Sequence, residues 1–338
     1  MTKELGLADN VERLLTVNVK GTHNPVLLAR LASRNGSPPV LEAARCLRDN
    51  VKRGEVAILT SGYPIKASVT QGIFDSDGPI GAITLARAVS VGLKGIPVLV
   101  SEPNLVEILR SGCRAAGLFP CTFEEAQKAS EEEKPPHVAV VMPFPLTDEQ
   151  ESRALASEIF GVYDPRVLVA CGKKGVNEKG VWHNHLGRDA SFSLSKVDFL
   201  FDQAPSQGVA SIGIGDNYIN VGFGAIRDEI LSHFPESRKC SCPCGGTMVC
   251  STKVDVLVTS TISNWGAYGV EAVLSYLTMN ESVLHDSLTE ERVATTCAQN
   301  GLYDATTATT DPKVDGVSYR ETGCFLDILR LMARRWRS

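Results

Sequence analysis

Residues 209–234, VASIGIGDNYINVGFGAIRDEILSHF, contain one copy of the pattern on which the fold turns. A short apolar run (209–214) has the length and composition of a buried strand, and GAIRDEILSHF after it has apolar positions at helical spacing. Between them, GIGDNYINVGFG (213–224) packs four glycines, an aspartate and two asparagines into twelve positions. The same succession recurs on either side. Apolar runs stand at EVAILTS (55–61), IPVLVS (96–101), HVAVVM (137–142), RVLVAC (166–171) and DVLVTST (255–261), with amphipathic stretches such as GAITLARAVSVGL, NLVEILRSGCRAAG and TDEQESRALASEIFG between them. Strand and helix in alternation predict an α/β fold, a mostly parallel sheet of about six strands with helices on both faces.

Upstream, ADNVERLL, NPVLLARLASRNG and PPVLEAARCLRDNVKRG predict helices, the second with Asn24 as cap, Pro25 in the first turn and a glycine stop. The chain thus divides into an N-terminal helical segment, 1–54, packed on an α/β domain, 55–338, the whole forming one structural unit. The run SEEEKPPH (130–137) predicts a solvated helix end and turn.

With 338 residues, 43% hydrophobic and 22% charged, the chain has enough apolar material for a sizeable core. A net charge of −5 with scattered basic residues predicts no nucleic-acid partner, and no apolar stretch has the length of a membrane span. The N-terminus resembles neither a signal peptide nor a transit peptide, so the expectation is a cytoplasmic protein acting on something small, with homo-oligomerisation left open. The ten cysteines are expected to be reduced.

In open α/β sheets the ligand crevice lies outside the carboxyl ends of the strands, which directs attention to four loops. In FDSDGPIGA, Asp75 and Asp77 precede Gly78 and Gly81 at a helix start; the two carboxylates can hold a substrate ammonium or a divalent cation, or cap the helix. In CGKKGVNEKGVWHNHLGRD, Lys173 and Lys174 are anion partners, and His183 beside Asn184 is a candidate for proton transfer near neutrality. In the opening stretch, Tyr218 stands where a dinucleotide fingerprint starting at Gly213 needs its last glycine, and no Walker lysine follows. Gly215, Asp216, Asn217, Asn220 and Gly222 then read as bare backbone approaching a carboxylate near a helix N-terminus, or as a tight connection using glycine for positive φ. In STISNWGAYGVEAVL, Ser263 or Asn264 is the predicted N-cap of a long helix, with Trp265 as a wall for a small molecule. Cys240, Cys242 and Cys244 are spaced by single residues, awkward for a tetrahedral zinc site even with Cys250 as fourth ligand; a loop of free thiols is the expectation.

FDSDGPIGA, GVWHNHLGRD, GIGDNYINVGFG, PCGG, STISNWGAYGVEAVL and KVDGVSY, in that order across roughly residues 10 to 335, resemble the D-glutamate cyclase-like family. The resemblance implies conversion of D-glutamate to 5-oxo-D-proline with loss of water, in a domain standing alone. The family's glycine loop reads Gly-Asp-Gly-Gly-Asn-Glu, an aliphatic residue, then Gly-Met-Gly. Gly215, Asp216, Gly222 and Gly224 match, Asn217 and Tyr218 replace glycines, Ile219 replaces the asparagine and Asn220 the glutamate; Asp75 stands where glutamate is frequent.

Cyclisation requires a base for the α-amine, an electrophile for the γ-carboxylate and an anchor for the α-carboxylate. Asp77 and Asp216 are the candidates for the amine, with Mn²⁺ or Mg²⁺ allowed between them, and His183 for protonating the departing oxygen. Helix N-termini after Gly81, Gly222 and Ser263, with Lys173 or Lys174, are the expected anion binders. The changes at Ile219 and Asn220 keep open a carboxylate or amino-acid binding protein of altered specificity, and a small nucleotide-binding enzyme is a further alternative.

Overall fold

A computed structural model describes residues 2–21, 24–33, 36–70 and 72–337; Arg34 and Asn35 of the second predicted helix and Gln71 of the first loop lie outside them. The N-terminal helices are α1 (Lys3–Leu15), α2 (Pro25–Ala32, its Leu27 N–H bonded to Asn24) and α3 (Pro39–Asn50). Strands then follow as β1 (Val56–Ser61), β2 (Phe74–Asp75), β3 (Ile96–Ser101), β4 (Phe119–Pro120), β5 (Val138–Pro143), β6 (Pro165–Cys171), β7 (Ala210–Gly215), β8 (Val256–Thr259), β9 (Leu302–Tyr303), β10 (Lys313–Val314) and β11 (Val317–Ser318). Between and after them run α4 (Pro79–Ala88), α5 (Val106–Ala115), α6 (Phe123–Glu131), α7 (Glu149–Tyr163), α8 (Asp198–Gln207), α9 (Arg227–His233), α10 (Ser263–Leu277), α11 (Ser287–Gln299) and α12 (Tyr319–Arg335).

Seven strands form one parallel sheet in the order β4-β5-β3-β1-β6-β7-β8. All six apolar runs are strands of this sheet; the seventh, β4, is two residues at an edge, too short to leave an apolar signature. Alternation within each strand sends side chains to two cores. Ala57, Leu59, Val167, Val169, Ile212 and Ile214 face a core shared with α1, α3, α4, α5, α10, α11 and α12. Ile58, Val98, Val100, Leu168 and Ala170 face the other, with α2, α6, α7, α8 and α9. Leu7, Val11, Leu15, Leu41 and Leu47 of the N-terminal helices belong to the first core.

The strand order reverses beside β1: β3 and β5 extend the sheet on one side and β6, β7 and β8 on the other. At such a switch point the connections leave in opposite directions and open a crevice. Gly78 sits there at φ +104°, and a Cβ on it would fall 2.6 Å from the Cys171 carbonyl and 2.7 Å from Ser61 Oγ. The ends of β1 and β6 thus bring the residues around Asp77 directly onto the sheet.

One ionic cluster lies inside the helical layer. His285 Nδ1 is 2.7 Å from Glu271 Oε2 on α10 and its Nε2 is 3.2 Å from Glu290 Oε2 on α11, whose carboxylate also accepts from Tyr268. Burial opposes charge on His285, but the two carboxylates outweigh it and raise its pKa to about 9.

Candidate active site

Three carboxylates converge beyond the carboxyl ends of the strands. Asp77 follows β2, Asp216 immediately follows β7, and Asp315 lies at the tip of the β10–β11 hairpin; one oxygen from each lies within 4.8 Å of the others. The hairpin explains the placement of Asp315: Asp315 and Gly316 both have positive φ (51° and 82°), as a type I′ turn requires. Gly316 N–H also bonds the buried Asp304, which fixes the tip.

Between these carboxylates lies the ammonium of Lys20, 2.8 Å from Asp216 Oδ2 and 2.6 Å from Asp315 Oδ2. Neither Lys20 nor Asp315 was singled out from the sequence. Asp315 was within reach, because Asp-Gly flanked by short β-prone pairs signals a hairpin. Lys20, in the link after α1 and 196 residues from Asp216, had no such marker.

Electrostatics follow from crowding. Burial, with the Asp216 and Asp315 charges, raises Asp77 to about 7. Burial, together with Asp315 and Asp77, also raises Asp75 well above the ordinary carboxylate range. Asp315 is raised by burial against the opposing pull of Lys20. Burial would depress Lys20, but the Asp216, Asp315 and Asp77 charges reverse the balance and keep it protonated. The cluster therefore favours a bound cation and holds protons more tightly than free carboxylates do.

Two helix N-termini meet here, and each is capped by the other's neighbour. Asp77 accepts from the Ser263 and Asn264 N–H groups at 3.2 and 3.0 Å, while Asn264 Oδ1 accepts from Gly78 and Gly81 N–H at 2.8 and 2.9 Å. This corrects the expected N-cap: Ile262 holds that position, and Ser263 and Asn264 are the first helical residues. It also corrects the expectation of anion binding at Gly81 and Ser263, since these donors are already engaged. Ser263 Oγ donates to Asp216 Oδ1 at 3.2 Å.

The glycine-rich loop has a different role from the one expected. Gly222 and Gly224 N–H both bond the Thr252 carbonyl, and a Cβ on Gly224 would meet Ser251 O at 2.3 Å. Gly213 likewise lies against Gly222 and Val221 O, and Gly215 makes room for Asn220 and Phe223. The bare backbone lets protein pack on protein, and these engaged donors have no N–H left for a phosphate or carboxylate. Asn217 and Asn220 fold the loop on itself, Asn217 N–H bonding Asn220 Oδ1 at 3.0 Å. Asn220 is fully buried and its Nδ2 has no partner among the described residues.

Lys173, Trp265, Asn184 and His183, also expected at the site, are engaged with other partners. Lys173 is buried in an ion pair with Glu102 and donates to Gly62 O, because its strand-end position points it into the fold. Its neighbour Lys174 is half-buried over the Tyr63 ring and acts electrostatically on Asp75 and Asp315. Trp265 stacks on Phe325 at 4.2 Å in the core. Asn184 Oδ1 accepts from Leu186 and Arg188 N–H and shapes a turn. His183 is buried with Cys242 Sγ 3.1 Å from its Nε2, in a group with Cys240 and Cys244 rather than with the aspartates.

Among the described residues no helix is long and apolar enough to cross a membrane. The family model described as D-glutamate cyclase-like, C-terminal, matches residues 27–330. Over 228 residues, 65% of this chain, the sequence is 22% identical to the human protein named D-glutamate cyclase, mitochondrial, and the match spans 32% of that protein's length. The chain thus covers about a third of that relative. With the family model matching nearly its whole length, the chain belongs to the D-glutamate cyclase-like family.

Proposed function

We propose that the protein is a lyase interconverting D-glutamate and 5-oxo-D-proline at the Asp77–Asp216–Asp315 cluster. The observation that carries this reading is the seating of a primary ammonium, that of Lys20, between carboxylates at 2.6 and 2.8 Å. A substrate ammonium has the same chemistry, and its entry requires Lys20 to yield its place.

The reaction is balanced without an external proton. An ammonium and a γ-carboxylate become an amide and water: nitrogen bonds to the γ-carboxyl carbon, one C–O bond breaks, and the two protons lost by nitrogen leave on that oxygen. A carrier must take a proton from nitrogen and return it to oxygen, a task suited to a group titrating near neutrality. Asp77, raised to about 7, is that carrier. Asp216 and Asp315 hold the ammonium. Asp75, whose hold on a proton is strengthened by burial and by the Asp315 and Asp77 charges, is the proposed donor to a substrate carboxylate. Lys174 and the unpartnered Asn220 Nδ2 are the proposed anchors for negative charge.

The carboxylate oxygens also fit Mn²⁺ or Mg²⁺, which take oxygen ligands, provided Lys20 moves aside. Such an ion, held by Asp77, Asp216 and Asp315, would polarise the γ-carboxyl group.

Asn220 in place of the family's glutamate supports a second reading, binding of a related amino acid without turnover. Proton NMR of the protein with D-glutamate, L-glutamate and 5-oxo-D-proline, with and without Mn²⁺ or Mg²⁺, separates the two. Interconversion of the D compounds alone is expected; ligand line broadening without conversion would establish the binding reading.

A further inference from the structure

We infer that His183, Cys240, Cys242 and Cys244 form a closed structural zinc centre that clamps the loop after β6 to the segment preceding β8. Their ligand atoms all lie within 4.8 Å of one another. Cys240 Sγ is 3.5 Å from Cys242 Sγ and 3.4 Å from Cys244 Sγ. His183 Nε2 is 3.1 Å from Cys242 Sγ and 3.7 Å from Cys244 Sγ. Around a tetrahedral zinc the edges are about 3.8 Å between sulfurs and about 3.5 Å from nitrogen to sulfur, so the four atoms already stand close to those corners. The sulfurs are too far apart for a disulfide, whose bond is about 2.05 Å.

The surroundings are those of thiolates. Cys244 N–H points to Cys242 Sγ and Gly246 N–H to Cys244 Sγ, each at 3.4 Å, and Asn177 Nδ2 lies 3.7 Å from Cys244 Sγ. Donors of this kind orient metal-bound sulfur and stabilise its charge. The segment also needs a crosslink. Residues 239–247 contain no helix or strand of their own, and apart from the cysteines none of them packs in a hydrophobic core. Ser241 N–H bonds Gly187 O and Thr247 N–H bonds Glu178, so the centre lies where the two stretches meet.

Three thiolates and an imidazole select zinc over magnesium or manganese, and four protein ligands leave no open position for substrate. Cys250 takes no part; its Sγ accepts from Thr252 N–H instead.

The test is metal analysis of the purified full chain, free of any affinity tag, together with its visible spectrum after exchange into Co²⁺. About one zinc per chain is expected, with the intense bands of a tetrahedral sulfur-ligated Co²⁺ after exchange. His183→Ala should lower bound zinc at least about tenfold. His183→Cys and Cys250→Ser should retain both zinc and the Co²⁺ bands, and they decide the matter if the alanine variant does not fold. Wild-type chain that takes up neither metal, iron in place of zinc, or zinc that persists undiminished in folded His183→Ala would overturn the assignment.

Discussion

The acidic cluster and the thiol–imidazole cluster are assembled alike, from side chains that long stretches of chain bring together, yet physically they are opposites. Asp77, Asp216 and Asp315 are hard oxygen ligands whose mutual repulsion is relieved by a cation, the Lys20 ammonium. His183 and the three cysteines are softer ligands, and backbone N–H groups are aimed at the sulfurs of Cys242 and Cys244. An arrangement held by a movable charge suits proton transfer and exchange of a substrate; one held by four protein ligands suits permanence. Their neighbours fit the division. Asp77 caps the N-terminus of α10 and adjoins the start of α4 at the switch point of the sheet, whereas the cysteines lie in a segment without regular structure.

The largest effects should come from exchanging the roles. Asp77→Asn is expected to reduce D-glutamate turnover by about 100-fold or more, the usual scale for a general acid–base, while leaving bound zinc unchanged. His183→Ala should do the reverse below its melting temperature, losing zinc with turnover within about twofold of wild type. A common loss of both properties in both variants would merge the clusters into one site. Lys20→Met should come next, raising Mn²⁺ affinity about tenfold by freeing two carboxylate oxygens, measured by titration calorimetry; unchanged or weaker binding would show that Lys20 does not compete for that place.

A third expectation concerns the buried His285 cluster, which belongs to neither site. Its folded pKa, about 9, lies above the ordinary 6.5, so its contribution to stability is fully present below about 6.5 and lost as pH rises through 9. Melting temperature recorded from neutral to alkaline pH should fall with a component that His285→Gln removes; identical slopes would remove His285 as the cause. The smallest effect should be Asn264→Ala, which deprives Gly78 and Gly81 N–H of their acceptor at a cost of about 1–2 kcal/mol, read by denaturant titration.

The central strands were legible in sequence because a buried parallel strand is a continuous apolar run, and each of the six runs took its place in the sheet. The cluster was legible only in part. Asp77, Asp216 and Ser263 follow strands or open helices, so topology gathers them at one edge. Lys20 and Asp315 arrive from outside that pattern, since an exposed link and a hairpin tip leave no periodic signal. His183 was assigned to proton transfer from its ordinary pKa, but its partners decide its chemistry, and Cys242 stands 59 residues away. Single-residue spacing argues against a four-cysteine zinc site, and the structure groups His183, not Cys250, with the other three cysteines. In sequence alone the glycines of 213–224 read as a cradle for ligand, because sequence does not tell bare backbone that meets a carboxylate from bare backbone that meets residues 251 and 252.

The most direct test of the division between the clusters is proton NMR of D-glutamate with wild-type protein and with Asp216→Asn, zinc being determined on the same samples. 5-Oxo-D-proline is expected from the wild type, none above background from the variant, and equal zinc in both. Equal turnover in the two proteins, or no turnover in wild type under any metal condition, would contradict the placement of the chemistry at the three aspartates.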